Sequence, residues 1–80
     1  MENETVERLI SAGLPGAEVK VTGDGRHFEA NVISADFKDK SLIQRHRMVM
    51  DTVKEQIASD ELHALSIKAF TPEQWAEKEN

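Results

Sequence analysis

Two stretches of alternating apolar and polar residues flank a short glycine-rich turn, and this pattern limits the fold more than any other feature. Residues 18–22 (EVKVT) and residues 27–34 (HFEANVIS) each show the period of two that is typical of a half-buried β-strand. Between them, residues 23–25 (GDG) tolerate the positive φ angles of a tight turn. The residues that share a face are Val19 and Val21, and then Phe28, Ala30 and Val32. The pattern predicts an antiparallel β-hairpin.

A helix before the hairpin and a strand with a helix after it are also predicted. The first helix has apolar residues at helical spacing and ends at residues 13–16 (GLPG). Residues 64–70 (ALSIKAF) alternate and predict a third strand. Thr71, Pro72 and Gln74 form a helix start, in which Thr71 is the N-cap and Gln74 completes a capping box. The apolar residues of the first helix are Val6, Leu9, Ile10 and Leu14.

A longer helix is predicted between the second and third strands, from about Ser41, its N-cap, to Ile57. Its apolar stripe comprises Leu42, Ile43, Val49, Met50, Val53 and Ile57, and His46 interrupts it. We therefore interpret His46 as a structural, half-buried imidazole that is hydrogen-bonded to the backbone or to a carboxylate. Arg45 and Arg47 are expected to point away from the stripe, toward solvent or toward a partner.

The predicted order of elements is α-β-β-α-β-α, which corresponds to an α+β fold with one three-stranded sheet covered by helices. A helix connects the second strand to the third, and a connection of this length favours a parallel, right-handed crossover if the two strands are neighbours. The sheet is then mixed. The 80 residues are expected to form a single domain, spanning residues 1–80.

The direction of the third strand decides whether two histidines can act together. His27 begins the second strand, and His63 immediately precedes the third. If these strands are parallel neighbours, about 4.8 Å apart, both imidazoles lie at the same end of the sheet and could reach one ion. If the strands are antiparallel, the two residues are roughly 20 Å apart. The alternative, that both are surface histidines without a ligand, stays open at this point.

Composition argues against an enzyme and against a membrane protein. The carboxylates are scattered, no nucleophile has an evident base beside it, and the GDG turn is too short for a phosphate-binding loop. No apolar run approaches the roughly 20 residues of a membrane span. The acidic N-terminus MENETVERL lacks the layout of a signal peptide. We expect a cytoplasmic protein with no catalytic residues.

Cysteine content and charge restrict the partners. The chain has no cysteine, so it cannot form a disulfide or build a metal site from its own sulfur. Residues 38–47 carry four basic side chains and one acidic one, a net +3 with His46 neutral. The whole chain carries −5, so the other seventy residues sum to −8. A local basic patch on an acidic body argues against strong binding to nucleic acid, which requires many phosphate contacts.

Three segments together resemble the BolA family, in its IbaG-like or eukaryotic BolA-two-like branch. They are VTGDGRHF, SADFKDKSLIQRHRMV and LHALSIKAFTPEQW, which follow one another in the order and spacing of that family. The resemblance implies a fold similar to class II KH domains. KH domains bind nucleic acid through a G-x-x-G loop, and we interpret this sequence as lacking such a loop.

The resemblance also implies a partner and a cofactor. The partner is a monothiol glutaredoxin of the CGFS type, with which BolA proteins share a [2Fe–2S] cluster. Glutaredoxin's cysteine and glutathione hold one side of the cluster, and the family's ligand positions match His63 and His27 here. The isolated chain is then expected to hold no cofactor, and to be a monomer or a weak homodimer.

Two other functions remain open. One is a DNA-binding transcriptional regulator that uses the basic second helix, because BolA proteins are also described in that class. The other is an interaction module without a metal. The candidate residues for binding a partner or nucleic acid are Lys40, Arg45, Arg47 and Lys68. The same basic residues could instead bind an acidic partner or the carboxylates of glutathione.

Overall fold

The computed structural model describes residues 1–79 and contains the elements in the predicted order, with two additions. The elements are α1 (Asn3–Gly13), β1 (Glu18–Gly23), β2 (His27–Ile33), a 3-10 turn (Ala35–Phe37), α2 (Leu42–Thr52), α3 (Lys54–Ala58), β3 (Ala64–Phe70) and α4 (Pro72–Glu79). The 3-10 turn and the separate short helix α3 were not predicted. Across residues 1–79, no helix has both the length and the apolar character that crossing a membrane requires.

The three strands form one mixed sheet in the order β1-β2-β3. β1 and β2 pair antiparallel, with Val21 opposite Ala30, which confirms the hairpin. β2 and β3 pair parallel, with His27 opposite Ala64 and Ile33 opposite Phe70. The prediction of a parallel crossover between the second and third strands is therefore confirmed.

The core lies between one face of the sheet and the helices α1 and α2. The buried apolar residues are Val6, Ile10, Leu14, Val21, Phe28, Ala30, Val32, Phe37, Val49, Val53 and Leu62. The opposite face of the sheet is largely polar, and Lys68 Nζ lies 3.5 Å from Glu29 Oε1 there. At the end of β3, α4 packs Trp75 against Phe70, with the ring centroids 5.2 Å apart.

The predicted helix from Ser41 to Ile57 is two helices rather than one. Ser41 does form a capping box with Gln44, as its side chain accepts the Gln44 N–H at 3.1 Å. The break lies at Val53, whose φ and ψ are −125° and 17°. The Thr52 hydroxyl donates to the Val49 carbonyl at 2.6 Å, and such side-chain bonds compete with the regular helical ladder. The break leaves the Val53 side chain fully buried in the core.

The buried face of α2 also differs from the predicted stripe. Leu42 and Ile43 are 74% and 65% exposed, because the first turn of the helix extends beyond the core. His46 is exposed as well, so its interpretation as a half-buried structural residue was wrong. The buried residues of α2 are Arg45 and Val49, one helical turn apart.

Arg45 is buried among the core residues, and the expectation that it points away from the stripe, toward solvent or a partner, was wrong. Its side chain is 7% exposed. Nε donates to the Lys40 carbonyl at 3.1 Å, and Nη1 donates to the Ala69 carbonyl at 3.3 Å and to Gln74 Oε1 at 2.8 Å. A buried guanidinium needs such partners, because an unpaired one carries a large desolvation cost. Arg45 therefore links the start of α2 to the end of β3 and to α4.

The start of α4 follows the predicted capping chemistry. Thr71 Oγ1 accepts the Gln74 N–H at 3.2 Å, and Gln74 Oε1 accepts the Thr71 N–H at 2.9 Å. The same Gln74 oxygen also accepts from Arg45, so one amide serves both the cap and the buried guanidinium.

Residues 13–16 (GLPG) match the letters G-x-x-G, but they form the turn from α1 to β1, with Gly16 at a φ of 88°. The junction between the successive helices α2 and α3 contains no glycine. The letters G-x-x-G are thus present at residues 13–16, in a turn between a helix and a strand. The junction between α2 and α3 contains no G-x-x-G loop.

Candidate functional site

The hairpin turn fixes the backbone of His27. Asp24 Oδ1 accepts two backbone hydrogen bonds, from the Arg26 N–H at 3.0 Å and from the His27 N–H at 2.9 Å. The Asp24 N–H in turn donates to the His27 carbonyl at 3.3 Å. The turn is thus closed from both sides, and the His27 imidazole projects into solvent at the first position of β2.

Two glycines allow this turn. Gly25 has a φ of 97°, in the region where residues with a side chain are strained. A side chain at Gly23 would collide with the His27 carbonyl and crowd Phe28. The close approach of Gly23 to His27 and the positive φ of Gly25 together explain why the turn has a glycine on each side of Asp24.

The two backbone hydrogen bonds also act on the Asp24 carboxyl group. They lower its pKa below the ordinary value of 3.8, with the His27 N–H as the largest cause and the Arg26 N–H as the second. The other carboxylate oxygen, Oδ2, lies 4.0 Å from His27 Nδ1. A negative charge therefore stands beside the imidazole near neutral pH.

His63 is placed by the loop that follows α3. The neighbouring Leu62 is buried, and its N–H donates to the Gln56 carbonyl at 3.1 Å. Asp60 turns the chain with a φ of 65°. His63 itself is exposed and lies directly before Ala64, the first residue of β3.

The structure brings His27 and His63 to the same end of the sheet. His27 pairs with Ala64 in the parallel ladder, so His63 is one residue out of register with it on the adjacent strand. This confirms the geometric condition for a joint site, whereas the role of the two residues as ligands stays a prediction. Among the side chains of residues 1–78, no group of three or more histidine, cysteine, aspartate or glutamate residues is arranged to hold a metal ion. A metal bound by this pair would need further donors from another molecule.

The predicted basic residues lie elsewhere. Lys40, Arg47 and Lys68 are exposed, whereas Arg45 is buried. The contact of Arg45 with the Ala69 carbonyl is near the carboxyl end of β3, while His63 precedes its amino end. A strand of this length spans roughly 20 Å, so the basic residues around the start of α2 and the histidine pair are at opposite ends of the sheet.

Sequence reasoning missed a groove between α2 and β3. This α2–β3 groove has a volume of about 300 Å³, and its lining residues are Leu42, His46, Ile67, Lys68, Ala69 and Phe70. The signal was present, because Leu42 and His46 are four residues apart and so share a helix face. That face was assigned to the core instead of to a surface groove.

Comparison with known proteins gives consistent results. Residues 9–74 match the family model described as BolA-like protein. The chain is 37% identical over 76 residues to Acid stress protein IbaG of Escherichia coli K12, covering 95% of this chain and 90% of the relative. It is 42% identical over 77 residues to Protein BOLA2 of Arabidopsis thaliana, covering 90% and 81%.

One further relative and one solved structure complete the comparison. The DNA-binding transcriptional regulator BolA of Haemophilus influenzae is 38% identical over 53 residues, which cover 66% of this chain and 50% of the relative. The structure of a bolA protein homologue from Coxiella burnetii superposes with a TM-score of 0.87 at 34% identity, covering 95% of this chain and 97% of that one. Fold, element order and sequence agree across nearly the whole chain, and we conclude that it belongs to the BolA family.

Proposed function

We propose that this protein is a non-enzymatic partner of a monothiol, CGFS-type glutaredoxin in iron–sulfur metabolism. In this proposal the two proteins share a [2Fe–2S] cluster, and His27 and His63 are the ligands from this chain. The role is cluster assembly, cluster trafficking or iron sensing. The observation that carries the proposal is the parallel pairing of β2 with β3, because it puts both histidines at one end of the sheet.

The donor set of this chain fits half of such a site. Iron–sulfur clusters are usually held by cysteine thiolates, and two histidines on one iron is the arrangement of Rieske centres. The chain has no cysteine, so it can supply imidazoles only, and the thiolates must come from the glutaredoxin and from glutathione. Both histidines are exposed and need no unfolding to reach a partner.

The surroundings of His27 favour a defined ligand position. Its backbone is held by Asp24, which reduces the conformational freedom that binding would otherwise remove. The Asp24 carboxylate stands 4.0 Å from Nδ1, so its negative charge lies close to the ring without a hydrogen bond to it.

Imidazole ligation has two chemical consequences. Neutral imidazoles in place of thiolates raise the reduction potential of a cluster, which suits sensing or transfer better than storage. Only a neutral imidazole binds a metal, so protons compete with the cluster for these two ligands.

A mixing experiment tests the proposal. The protein is combined with a monothiol glutaredoxin, glutathione, iron and sulfide, and visible circular dichroism is recorded. We expect a cluster spectrum that differs from that of the glutaredoxin homodimer. His63→Ala should abolish the difference, and His27→Ala should weaken or alter it. His46→Ala is the matched control, because His46 is an exposed histidine on α2 and should leave the spectrum unchanged.

One outcome would contradict the assignment of His27 and His63 as cluster ligands. If the spectrum of the mixture is the same with His27→Ala and with His63→Ala as with the natural protein, neither residue binds the cluster. Far-ultraviolet circular dichroism of each variant checks that the fold is retained.

A DNA-binding transcriptional regulator is the second candidate. The name of the Haemophilus influenzae relative favours it. So do two exposed basic residues, Lys40 just before α2 and Arg47 within α2. We rank it second because Arg45 is buried and engaged in hydrogen bonds, which leaves few cations for phosphate contacts. Salt-dependent binding of a DNA fragment that is lost on Lys40→Ala with Arg47→Ala would support it. Absence of binding at low salt would reject it.

A further inference from the structure

β3 forms one edge of the sheet, and two hydrogen bonds show how its backbone is oriented there. The Phe70 carbonyl accepts the Ser34 N–H at 3.0 Å, on the side of β2. The Ala69 carbonyl instead accepts a hydrogen bond from Arg45 Nη1 at 3.3 Å, on the other side. Backbone groups of successive strand residues alternate between the two sides. Odd-numbered residues of β3 therefore face the open edge.

The open part of this edge is the segment from Leu65 to Ile67. By the alternation, both residues direct their N–H and C=O groups away from β2. Within the side chains of residues 1–78 and the backbone of residues 1–79, no group outside the sheet hydrogen-bonds to these two residues, whereas Arg45 occupies the Ala69 carbonyl. Unpaired edge groups of this kind are a template for another strand.

The other edge of the sheet is partly covered, at Val21 and Gly23. On β1, the Val21 N–H donates to Glu7 Oε2 at 3.3 Å, and the Gly23 carbonyl accepts a bond from Asn3 Nδ2 at 3.5 Å. Both partners belong to α1, which packs along this edge. The Glu7 carboxylate also places a negative charge there. The two edges therefore differ in access and in charge.

The α2–β3 groove adjoins the open edge at Ile67, continues toward Phe70, and offers side-chain contacts for a strand added there. Leu42 supplies an exposed apolar surface on the helix side, with Ile43 next to it. Lys68 supplies a positive charge on the sheet side, where it now contacts Glu29 at 3.5 Å. A strand has alternate side chains on its two faces, so apolar residues could face Leu42 while acidic residues face Lys68.

Charge selects the kind of partner. The exposed basic residues of the segment 38–47 are Lys38, Lys40 and Arg47, although the chain as a whole carries −5. An acidic segment is attracted to this region. A second copy of the chain carries the same net charge of −5, which disfavours pairing of two copies through this edge.

We propose that the open edge of β3 and the α2–β3 groove bind an extended segment of a partner protein in which apolar and acidic residues alternate. The segment pairs with the backbone of Leu65 and Ile67 as a fourth strand. Arg45 ends the pairing at Ala69, because its guanidinium already occupies that carbonyl. The proposal uses neither His27 nor His63 and does not depend on a metal.

Amide hydrogen exchange and chemical shifts of the full chain test it, with a synthetic peptide of about seven residues in which valine and glutamate alternate. At peptide concentrations up to about 1 mM, we expect slowed exchange of the Leu65 and Ile67 amides and shift changes along the groove. A peptide with lysine in place of glutamate should bind at least about fivefold more weakly. The peptide nitrogens form two alternating sets, and only one set faces β3. Methylation of that set removes the strand-pairing donors and should abolish binding, whereas methylation of the other set should not.

Variants of this chain make the test specific. Lys68→Glu should weaken binding about fivefold to tenfold, since it reverses the nearest charge. Lys20→Glu is the matched control, because Lys20 is an exposed lysine on β1, at the opposite edge of the sheet, and should have no effect. His27→Ala and His63→Ala should also bind the peptide normally, which separates this result from the fate of the cluster proposal.

Several results would overturn the proposal. One is an absence of changes in exchange or chemical shift at about 1 mM peptide. Another is a change at the β1 amides as large as that at the Leu65 and Ile67 amides. A third is binding of the lysine peptide as strong as that of the glutamate peptide. Perturbation of the groove by single-stranded DNA and not by the peptide would assign it to nucleic acid. Protection of the Leu65 and Ile67 amides that rises with protein concentration alone would assign it to a second copy of this chain.

Discussion

The carboxylate of Asp24 holds His27 through its backbone, with Oδ1 2.9 Å from the His27 nitrogen, while Oδ2 lies 4.0 Å from the Nδ1 atom of the same residue. One side chain thus closes the hairpin turn and sets a negative charge beside the exposed imidazole. The turn and the candidate ligand are therefore one structural unit, and a change in Asp24 affects both.

The acid sensitivity of the hairpin turn follows from Asp24. Its pKa is lowered, first by the His27 N–H and then by the Arg26 N–H. Its contribution to stability is therefore present above the ordinary value of 3.8 and is lost as pH falls through the lower, folded-state pKa. We expect a carboxyl NMR titration to give a pKa below 3.8, and protection of the His27 amide to disappear in the same range.

Asp24→Asn is the control for this titration. The asparagine keeps an acceptor oxygen for the two backbone N–H groups but has no charge, so protection of the His27 amide should no longer change in that pH range. An Asp24 pKa at or above the ordinary value would show that these hydrogen bonds do not form in solution.

Replacement of Gly23 should destabilise the hairpin. In Gly23→Ala the added Cβ meets the His27 carbonyl and crowds Phe28, both of which belong to β2. We expect a loss of about 2 kcal/mol in the free energy of unfolding, measured by thermal or urea denaturation. Thr22→Ala, at the exposed preceding residue, should cost no more than about 1 kcal/mol. Equal losses in the two variants would contradict the close approach.

Arg45 and Arg47 should differ in their effect on stability. Arg45→Ala removes three hydrogen bonds and leaves the Ala69 carbonyl and Gln74 without their cation, so we expect a loss of about 2–4 kcal/mol in urea denaturation. Arg45→Lys should recover only part of it, because an ammonium group cannot reproduce the planar geometry of the guanidinium. Arg47→Ala, at an exposed position, should stay within about 0.5 kcal/mol. Similar values for the two arginines would mean that Arg45 is not buried.

Substitutions of apolar residues in α2 should lower the free energy of unfolding only where the residue is buried. Val49→Ala removes two methyl groups from a fully buried position, for which we expect a loss of about 2 kcal/mol in the free energy of unfolding. Leu42→Ala should change the same quantity by no more than about 0.5 kcal/mol, although leucine is the larger residue. A large loss for Leu42→Ala would instead support the apolar stripe expected from the sequence.

The buried face of α2 could not be predicted from the sequence. Its apolar residues are spaced so that a buried stripe can pass either through His46 or through Arg45, one position earlier along the chain. The choice depends on the acceptors that a buried guanidinium finds. The carbonyl of Ala69 and the amide of Gln74 lie 24 and 29 residues away from Arg45 in the chain. No local pattern contains that information.

The sequence by itself determined the local elements and their order. Alternation in β1 and β2, the glycines around Asp24, the N-cap at Ser41 and the capping box at Thr71 act through neighbouring residues, and all appear as predicted. The length of the connection from β2 to β3 also favoured their parallel pairing, and with it the placement of His27 and His63 at one end of the sheet. Only the tertiary structure decided that Arg45 is buried, that His46 lines a surface groove and that the helix breaks at Val53. These outcomes depend on contacts between segments distant in the chain, because burial and hydrogen bonding there are set by how α2 meets the sheet.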